Sequence, residues 1–296
     1  MAVTFGTNPI AWSNDDLLEL GGDTPLETCL SEARAAGFTG IELGNKFPRD
    51  AATLRPTLDA FDLKLVSGWY SCALLERSAK DEIEALHDHL SLLEALGCTV
   101  LVFAETSNAI HGDRAVPLSS RPTMATGDWA AFGGAMTEVA AHAAGHGLAL
   151  SYHHHMGTVV QSAEDIDAFM NATGDAVGLL LDTGHATFAG ADPGALAEAY
   201  AGRITHFHAK DVRSEVMDKA RDQDMSFLDA VVEGVFTVPG DGCVDFLKPL
   251  MELNDVAYDG WLVVEAEQDP EVANPRQYAT LGYTNLARMA AEAGLV

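Results

Sequence analysis

The chain has 296 residues, 48% of them apolar, which is enough for one large core or two modest ones. Seventeen basic residues stand against 44 acidic ones, and the resulting net charge of -27 repels phosphate backbones and anionic lipid. No window approaches the roughly 18 uninterrupted apolar residues of a membrane span, and "MAVTFGTNPIAWS" lacks the basic and apolar regions of a signal peptide. Nucleic acid and membrane are therefore excluded as expected partners, and a cytoplasmic location is expected. Cys29, Cys72, Cys98 and Cys243 lie far apart with no CxxC pair, so they read as reduced thiols rather than as a zinc or disulfide framework.

Short β-rich runs alternate with amphipathic helical stretches along the whole chain. The strand candidates are 3–8 (VTFGTN), 38–43 (FTGIEL), 63–69 (LKLVSGW), 99–105 (TVLVFAE), 148–154 (LALSYHH), 177–182 (VGLLLD), 204–210 (ITHFHAK) and 260–267 (GWLVVEAE). Between them, Leu26, Cys29, Leu30 and Ala33 recur at helical spacing, and "DEIEALHDHLSLLEALG" ends in a glycine suited to stop a helix. Eight β-then-α units with short connectors predict parallel strands with helical crossovers. Within about 300 residues they suit a single-domain α/β protein, a closed (β/α)8 TIM barrel spanning 1–296. No GxGxxG follows the first strand, which speaks against dinucleotide binding. The two longest irregular stretches, 106–126 and roughly 211–242, read as functional covers or insertions.

Side chains on a strand alternate faces. In strand five, Leu148, Leu150 and Tyr152 then face the helices, His153 and His155 face the barrel, and His154 points outward. Strand six ends at Asp182 with His185 just beyond, His206, His208 and Lys210 share one face of strand seven, and Glu265 and Glu267 share one face of strand eight. Six of the eleven histidines fall between 153 and 208. At the C-terminal ends of four adjacent strands, where barrel active sites form, the chain thus offers His153, Asp182, His208 and Glu265. Two imidazoles and two carboxylates suit Mn²⁺, Co²⁺, Fe²⁺ or Zn²⁺. Singly, each residue has a plainer reading: a strand histidine as a hydrogen-bonded core residue, Asp182 as a helix cap, Glu265 as a core carboxylate paired with Lys210. Their coincidence at one depth favours the metal set, because burying so many ionisable groups without a cation is costly.

These motifs resemble the xylose-isomerase-like superfamily of metal-dependent isomerase, epimerase and dehydratase barrels. There, strand five usually ends in a glutamate ligand, strand six in "DxGH", strand seven in "HxKD" and strand eight in a glutamate. "LDTGH", "HAKD" and "VVE" match, carrying ligand roles onto Asp182, His208 and Glu265, while His153 before "HHMGT" stands at the glutamate's place. With "GTNPIAWSNDD", "YHHHMGT" and "VVEAEQDP", the chain is similar over essentially its whole length to the inosose dehydratase family. That resemblance implies a hydro-lyase (a lyase) of inositol catabolism and carbohydrate metabolism, removing water from 2-keto-myo-inositol (scyllo-inosose) to give a trihydroxycyclohexane-1,2-dione. It implies manganese (Mn²⁺) or cobalt (Co²⁺), and it associates glutathione with the activity, although no motif marks a glutathione site.

Dehydration beside a ketone needs α-proton removal, a stabilised enolate and protonation of the leaving hydroxyl. His155 or Glu267 is nominated as base, with His185 and Lys210 as acid or oxygen-binding groups; Lys210 also suits simple pairing with a carboxylate. Asn8, Glu42, Lys46 and Trp69, near the ends of the early strands, are nominated to bind a cyclic polyol ketone, with Trp12 and Trp69 also readable as packing residues. The alternatives are a ketose or inosose isomerase or epimerase working through a metal-stabilised enediolate, an abasic-site nuclease, which the acidity disfavours, and a polyol-binding protein without a metal. Barrels of this kind often associate, so a homo-oligomer is expected, with no interface stripe in the sequence to carry it.

Overall fold

The computed structural model describes residues 3–296. All eight expected barrel strands form: β1 (Thr4–Thr7), β2 (Gly40–Leu43), β3 (Lys64–Cys72), β4 (Val100–Glu105), β5 (Ala149–His153), β6 (Val177–Asp182) and β7 (Ile204–Ala209), with β10 (Trp261–Val264) as the eighth. Between the last two, β8 (Asp211–Val212) and β9 (Phe236–Thr237) make a separate antiparallel pair. The barrel closes in the order β1-β10-β7-β6-β5-β4-β3-β2, with every neighbouring pair parallel.

Helices α1 (Leu26–Ala36), α2 (Ala51–Asp59), α3 (Ala79–Leu96), α4 (Trp129–Gly145), α5 (Ala163–Ala172), α6 (Thr183–Phe188) and α7 (Pro193–Tyr200) supply the crossovers. After them come α8 (Ser214–Asp222) and α9 (Phe227–Val232) inside the β8–β9 pair, then α10 (Leu247–Asp255) and α11 (Pro275–Glu292). Local chemistry sets their ends. Ser78 caps α3 through the Asp81 N–H, and Gly97 stops that helix at φ +76°, its N–H bonded to the Leu93 and Glu94 carbonyls. Ser162 and Asp165 form a reciprocal capping box on α5. No helix among the described residues is long and apolar enough to cross a membrane.

The alternation expected for strand five holds: Leu148, Leu150 and Tyr152 lie in the main core between sheet and helices. Inside the barrel, Val100, Val102 and Leu180 pack with Trp69 as a small apolar plug. Above that plug the interior turns polar, because the inward positions at the strand ends carry His, Asp and Glu.

One expectation changes. The stretch around 211–242 is not an irregular loop. It folds as α8 and α9 within the β8–β9 pair, where Val212, Met217, Phe227, Val231 and Phe236 form an apolar cluster with Leu17, Met156 and Phe188. Buried Asp211 pins its exit by accepting the N–H groups of Gly240, Gly242 and Val244. The 106–126 segment stays irregular apart from one short turn at Leu118–Ser120, and it is latched to this insertion. Leu118 N–H donates to Met225 O, Ser119 to Asp224, and Arg114 forms a two-pronged contact with Asp229. The two covers therefore meet over one rim of the barrel, the C-terminal one.

Candidate active site

His153, Asp182, His208 and Glu265 converge at that rim. One potential ligand atom from each lies within 4.8 Å of the others, and all four residues are buried. Barrel register explains the meeting: Asp182 pairs with His208 across β6 and β7, and Val263 of β10 pairs with His208 on its other side. Glu265 lies just past the end of β10, with its N–H still donating to Ala209 O.

Hydrogen bonds fix both imidazoles. His153 Nδ1 sits 2.6 Å from His154 O; a carbonyl only accepts, so Nδ1 carries the proton and Nε2 is a bare lone pair. His208 Nε2 faces the Glu42 carboxylate at 3.2–3.3 Å, which turns Nδ1 toward the cluster. His153 Nε2 is 3.7 Å from Asp182 Oδ2, and His208 Nδ1 is 3.5 Å from the same oxygen and 3.0 Å from Glu265 Oε2. Asp182 Oδ2 and His208 Nδ1 are buried without a hydrogen-bond partner, while Glu265 Oε2 has the Lys210 ammonium at 2.8 Å. Buried polar atoms are nearly always satisfied, so two orphans turned toward one point beside the Glu265 carboxylate fit a cation at that point. Two nitrogens and two carboxylate oxygens are a fitting donor set for a divalent transition metal. With no cation present, burial works to lower the His208 pKa, but the Glu265, Glu42 and Asp182 carboxylates override it and hold it well above the usual histidine value. A divalent ion would take over that balancing charge.

Beside this set lies a second buried group. Lys210 Nζ is 2.7 Å from Glu267 Oε1, 2.8 Å from Glu265 Oε2 and 3.0 Å from His185 Nε2. The His155 and His185 rings lie 3.8 Å apart, centre to centre. Burial keeps both histidines neutral, with pKa values well below the usual one. Burial also lifts Glu267 to about 7 against the pull of Lys210, with Glu265 adding to the rise. Neutral imidazoles, a carboxyl poised near neutrality and an ammonium form a compact set for moving protons.

The nominated substrate residues divide. Asn8 and Trp69 line a cavity of about 120 Å³ over the ligand set, together with Asp16, His111 and His155. Glu42 lies outside that lining: its oxygens accept from Asn8 Nδ2 (2.8 Å), His206 Nε2 (2.9 Å) and His208, so it supports the ligands from beneath rather than meeting a substrate. Burial works to raise its pKa, yet His208 and His206 hold it at about 2. Lys46 also lies outside the cavity. Its ammonium donates to the Gly21, Gly22 and Thr24 carbonyls and fastens the loop before α1. Trp12 packs in the core with its N–H on Glu32.

His154 points away from the cavity, as expected, yet it is fully buried and its Nε2 accepts the Asp182 N–H at 3.3 Å. Sequence reasoning missed His111 and Phe227. The two covers carry them onto the histidines, with His111 4.8 Å and Phe227 5.1 Å from the His155 ring, centre to centre. The length of those covers was the available signal.

Residues 30–283 match the model of the xylose isomerase-like TIM barrel family. The rhizopine catabolism protein MocC of Rhizobium meliloti is 52% identical, over 99% of this chain and 90% of that one. A protein of Geobacillus thermodenitrificans named inosose dehydratase is 45% identical, over 94% of each chain. Among solved structures, the IOLI protein with a bound zinc atom superimposes with a TM-score of 0.67 at 16% identity, over 99% of both chains, a likeness of fold. The chain belongs to the xylose isomerase-like TIM barrel family and, within it, stands with the proteins named inosose dehydratase.

Proposed function

We propose that this chain is a hydro-lyase that removes water from 2-keto-myo-inositol, giving a trihydroxycyclohexane-1,2-dione in inositol catabolism. The observation that carries this reading is a buried His, Lys and Glu group set directly against four residues able to hold a cation, under one cavity, in a chain 45% identical to an inosose dehydratase along nearly its full length. His153, Asp182, His208 and Glu265 would hold a divalent ion, with Mn²⁺ or Co²⁺ the proposed choice. When bound, that ion supplies the positive charge that stabilises an enolate oxygen.

The remaining tasks fall to the chain's own side chains. Glu267, lifted to about 7 by burial, is the proposed base for the proton beside the ketone, with His155 as the alternative within the same group. Lys210 and His185, in contact at 3.0 Å just behind the cavity lining, are the proposed acid for the departing hydroxyl. Trp69 walls the cavity, and Asn8, steered by Glu42, offers a polar contact for ring hydroxyls. Phe227 and Phe236 close the histidine side against water. A cytoplasmic setting belongs to the same reading, since all four cysteines are free thiols.

Incubation of the purified protein with inosose and Mn²⁺ tests the proposal. Dehydration creates a conjugated dione with a new ultraviolet absorbance; a polyol ketone rearranged without that absorbance would make the chain an isomerase or epimerase instead.

A further inference from the structure

His155, His185 and Glu267 form a second group whose potential ligand atoms lie within 4.8 Å of one another, the same spacing as in the first set. His155 Nδ1 is committed to Met156 O at 2.8 Å, so its Nε2 is bare. By donor chemistry this is a second place for a metal ion, adjoining the first through Glu265 and Asp182. Its centre, however, is already taken. Lys210 Nζ lies 3.0 Å from His185 Nε2, 2.7 Å from Glu267 Oε1, 2.8 Å from Glu265 Oε2 and 3.6 Å from Asp182 Oδ2, and stands 4.6 Å over the Phe236 ring.

Lys210 is fully buried, and the fold makes room for it. A Cβ at Gly184 would come within 2.5 Å of Lys210 Cγ, so only glycine fits there without displacing the lysine stem. A metal at bonding distance, about 2.0–2.2 Å, from His185 Nε2 and Glu267 Oε1 would stand directly against the ammonium, positive charge on positive charge. Charge points the same way. Asp182, Glu265 and Glu267 face the pair of sites, and one divalent ion with one ammonium neutralises them, whereas a second divalent ion beside Lys210 would leave surplus positive charge in a buried place.

We propose that Lys210 is a built-in cation occupying the position of a second metal ion, so that the centre takes one divalent ion per chain and loss of the ammonium opens a latent second site on His155, His185 and Glu267. This rests on the reading that the His153 set holds a divalent ion.

Metal counting tests it without reference to turnover. The wild-type protein and the Lys210→Ala, Lys210→Met and Lys210→Ala/His185→Ala variants are dialysed against excess Mn²⁺ and washed. Metal per chain is then measured, with circular dichroism for folding and electron paramagnetic resonance for coupling between ions. The expected counts are one for the wild type, two for Lys210→Ala with a spin-coupled signal, one for Lys210→Met, whose side chain still fills the space, and one for the double variant. Two ions in the wild type, or one in folded Lys210→Ala, overturn the proposal. Should Lys210→Ala not fold, Lys210→Ser, which opens the same space with a polar lining, takes its place with the same expected count of two, and a count of one overturns the proposal. No ion in the wild type removes the cation reading itself and this inference with it.

Discussion

Asp182 and His185 are joined by a contact that splits one carboxylate between two tasks. Asp182 Oδ1 accepts the His185 N–H at 2.7 Å and caps α6, while Oδ2 of the same group faces the ligand cluster without a hydrogen-bond partner. Of the two roles that sequence reasoning left as alternatives, the cap is formed through Oδ1, and Oδ2 is left for the proposed ligand role.

The two tasks separate by mutation. Asn caps helices as well as Asp does, so Asp182→Asn should change stability by less than about 0.5 kcal/mol. The same change removes a negative ligand and should weaken Mn²⁺ retention by more than about 100-fold, beyond the usual effect of losing a supporting group. Asp182→Ala should lose the ion and a further ~1 kcal/mol of stability. Urea denaturation and competition with a chelating dye measure the two effects; unchanged metal affinity in Asp182→Asn would remove Asp182 from the ligand set.

Glu42 bears on the proposed ion at one remove. It holds His208 by Nε2 and turns Nδ1 toward the proposed ligand cluster. Glu42→Gln keeps an acceptor but loses the charge that sharpens this contact, and it should weaken Mn²⁺ binding by about 10–100-fold while the barrel stays folded. Nitrogen NMR of the His208 ring should show the proton moving off Nε2 in part. An unaltered Mn²⁺ affinity would return Glu42 to the role of a core carboxylate.

Buried neutral histidines set the acid response of the metal-free protein. Burial lowers His89, His154 (to about 4), His155 and His185 from the ordinary 6.5. Below pH 6.5 the unfolded chain takes up protons that the folded chain refuses, so the stability these groups contribute is present above 6.5 and lost as pH falls toward their folded values. His208, raised between its carboxylates, and the raised carboxyls of Glu267 (about 7) and Asp15 (about 6) work in the opposite sense, three groups against the seven lowered once His111, His153 and His206 are added. The urea midpoint of chelated protein should therefore drop between pH 7.5 and 5. A midpoint that holds or rises would contradict neutral burial of this cluster.

Much of the barrel was legible because its signals are local. Eight β-then-α units, the glycine after α3 and the alternation through Tyr152 and His153 all survive in the fold. The four proposed ligands were legible too, since strand-end position alone brings His153, Asp182, His208 and Glu265 to one rim. Residues whose roles depend on distant partners were not. Glu42 looked like a mouth residue, but its partners His206 and His208 lie 164 and 166 positions away. Lys46 looked free until the loop before α1 folded back over its ammonium. His111 gained its place through distant contacts, the Ile110 N–H bond to Gly157 O and the latch that pairs Arg114 with Asp229 across 115 positions.

The most direct measurement is the joint assay of bound metal and turnover in His208→Ala and Glu265→Ala. Each variant should keep the far-ultraviolet circular dichroism of the barrel, lose its divalent ion and lose dehydration of inosose, metal content and rate falling together by at least about 100-fold. Dehydration at the wild-type rate by folded, metal-free His208→Ala would contradict a cation held at this rim as the centre of the chemistry.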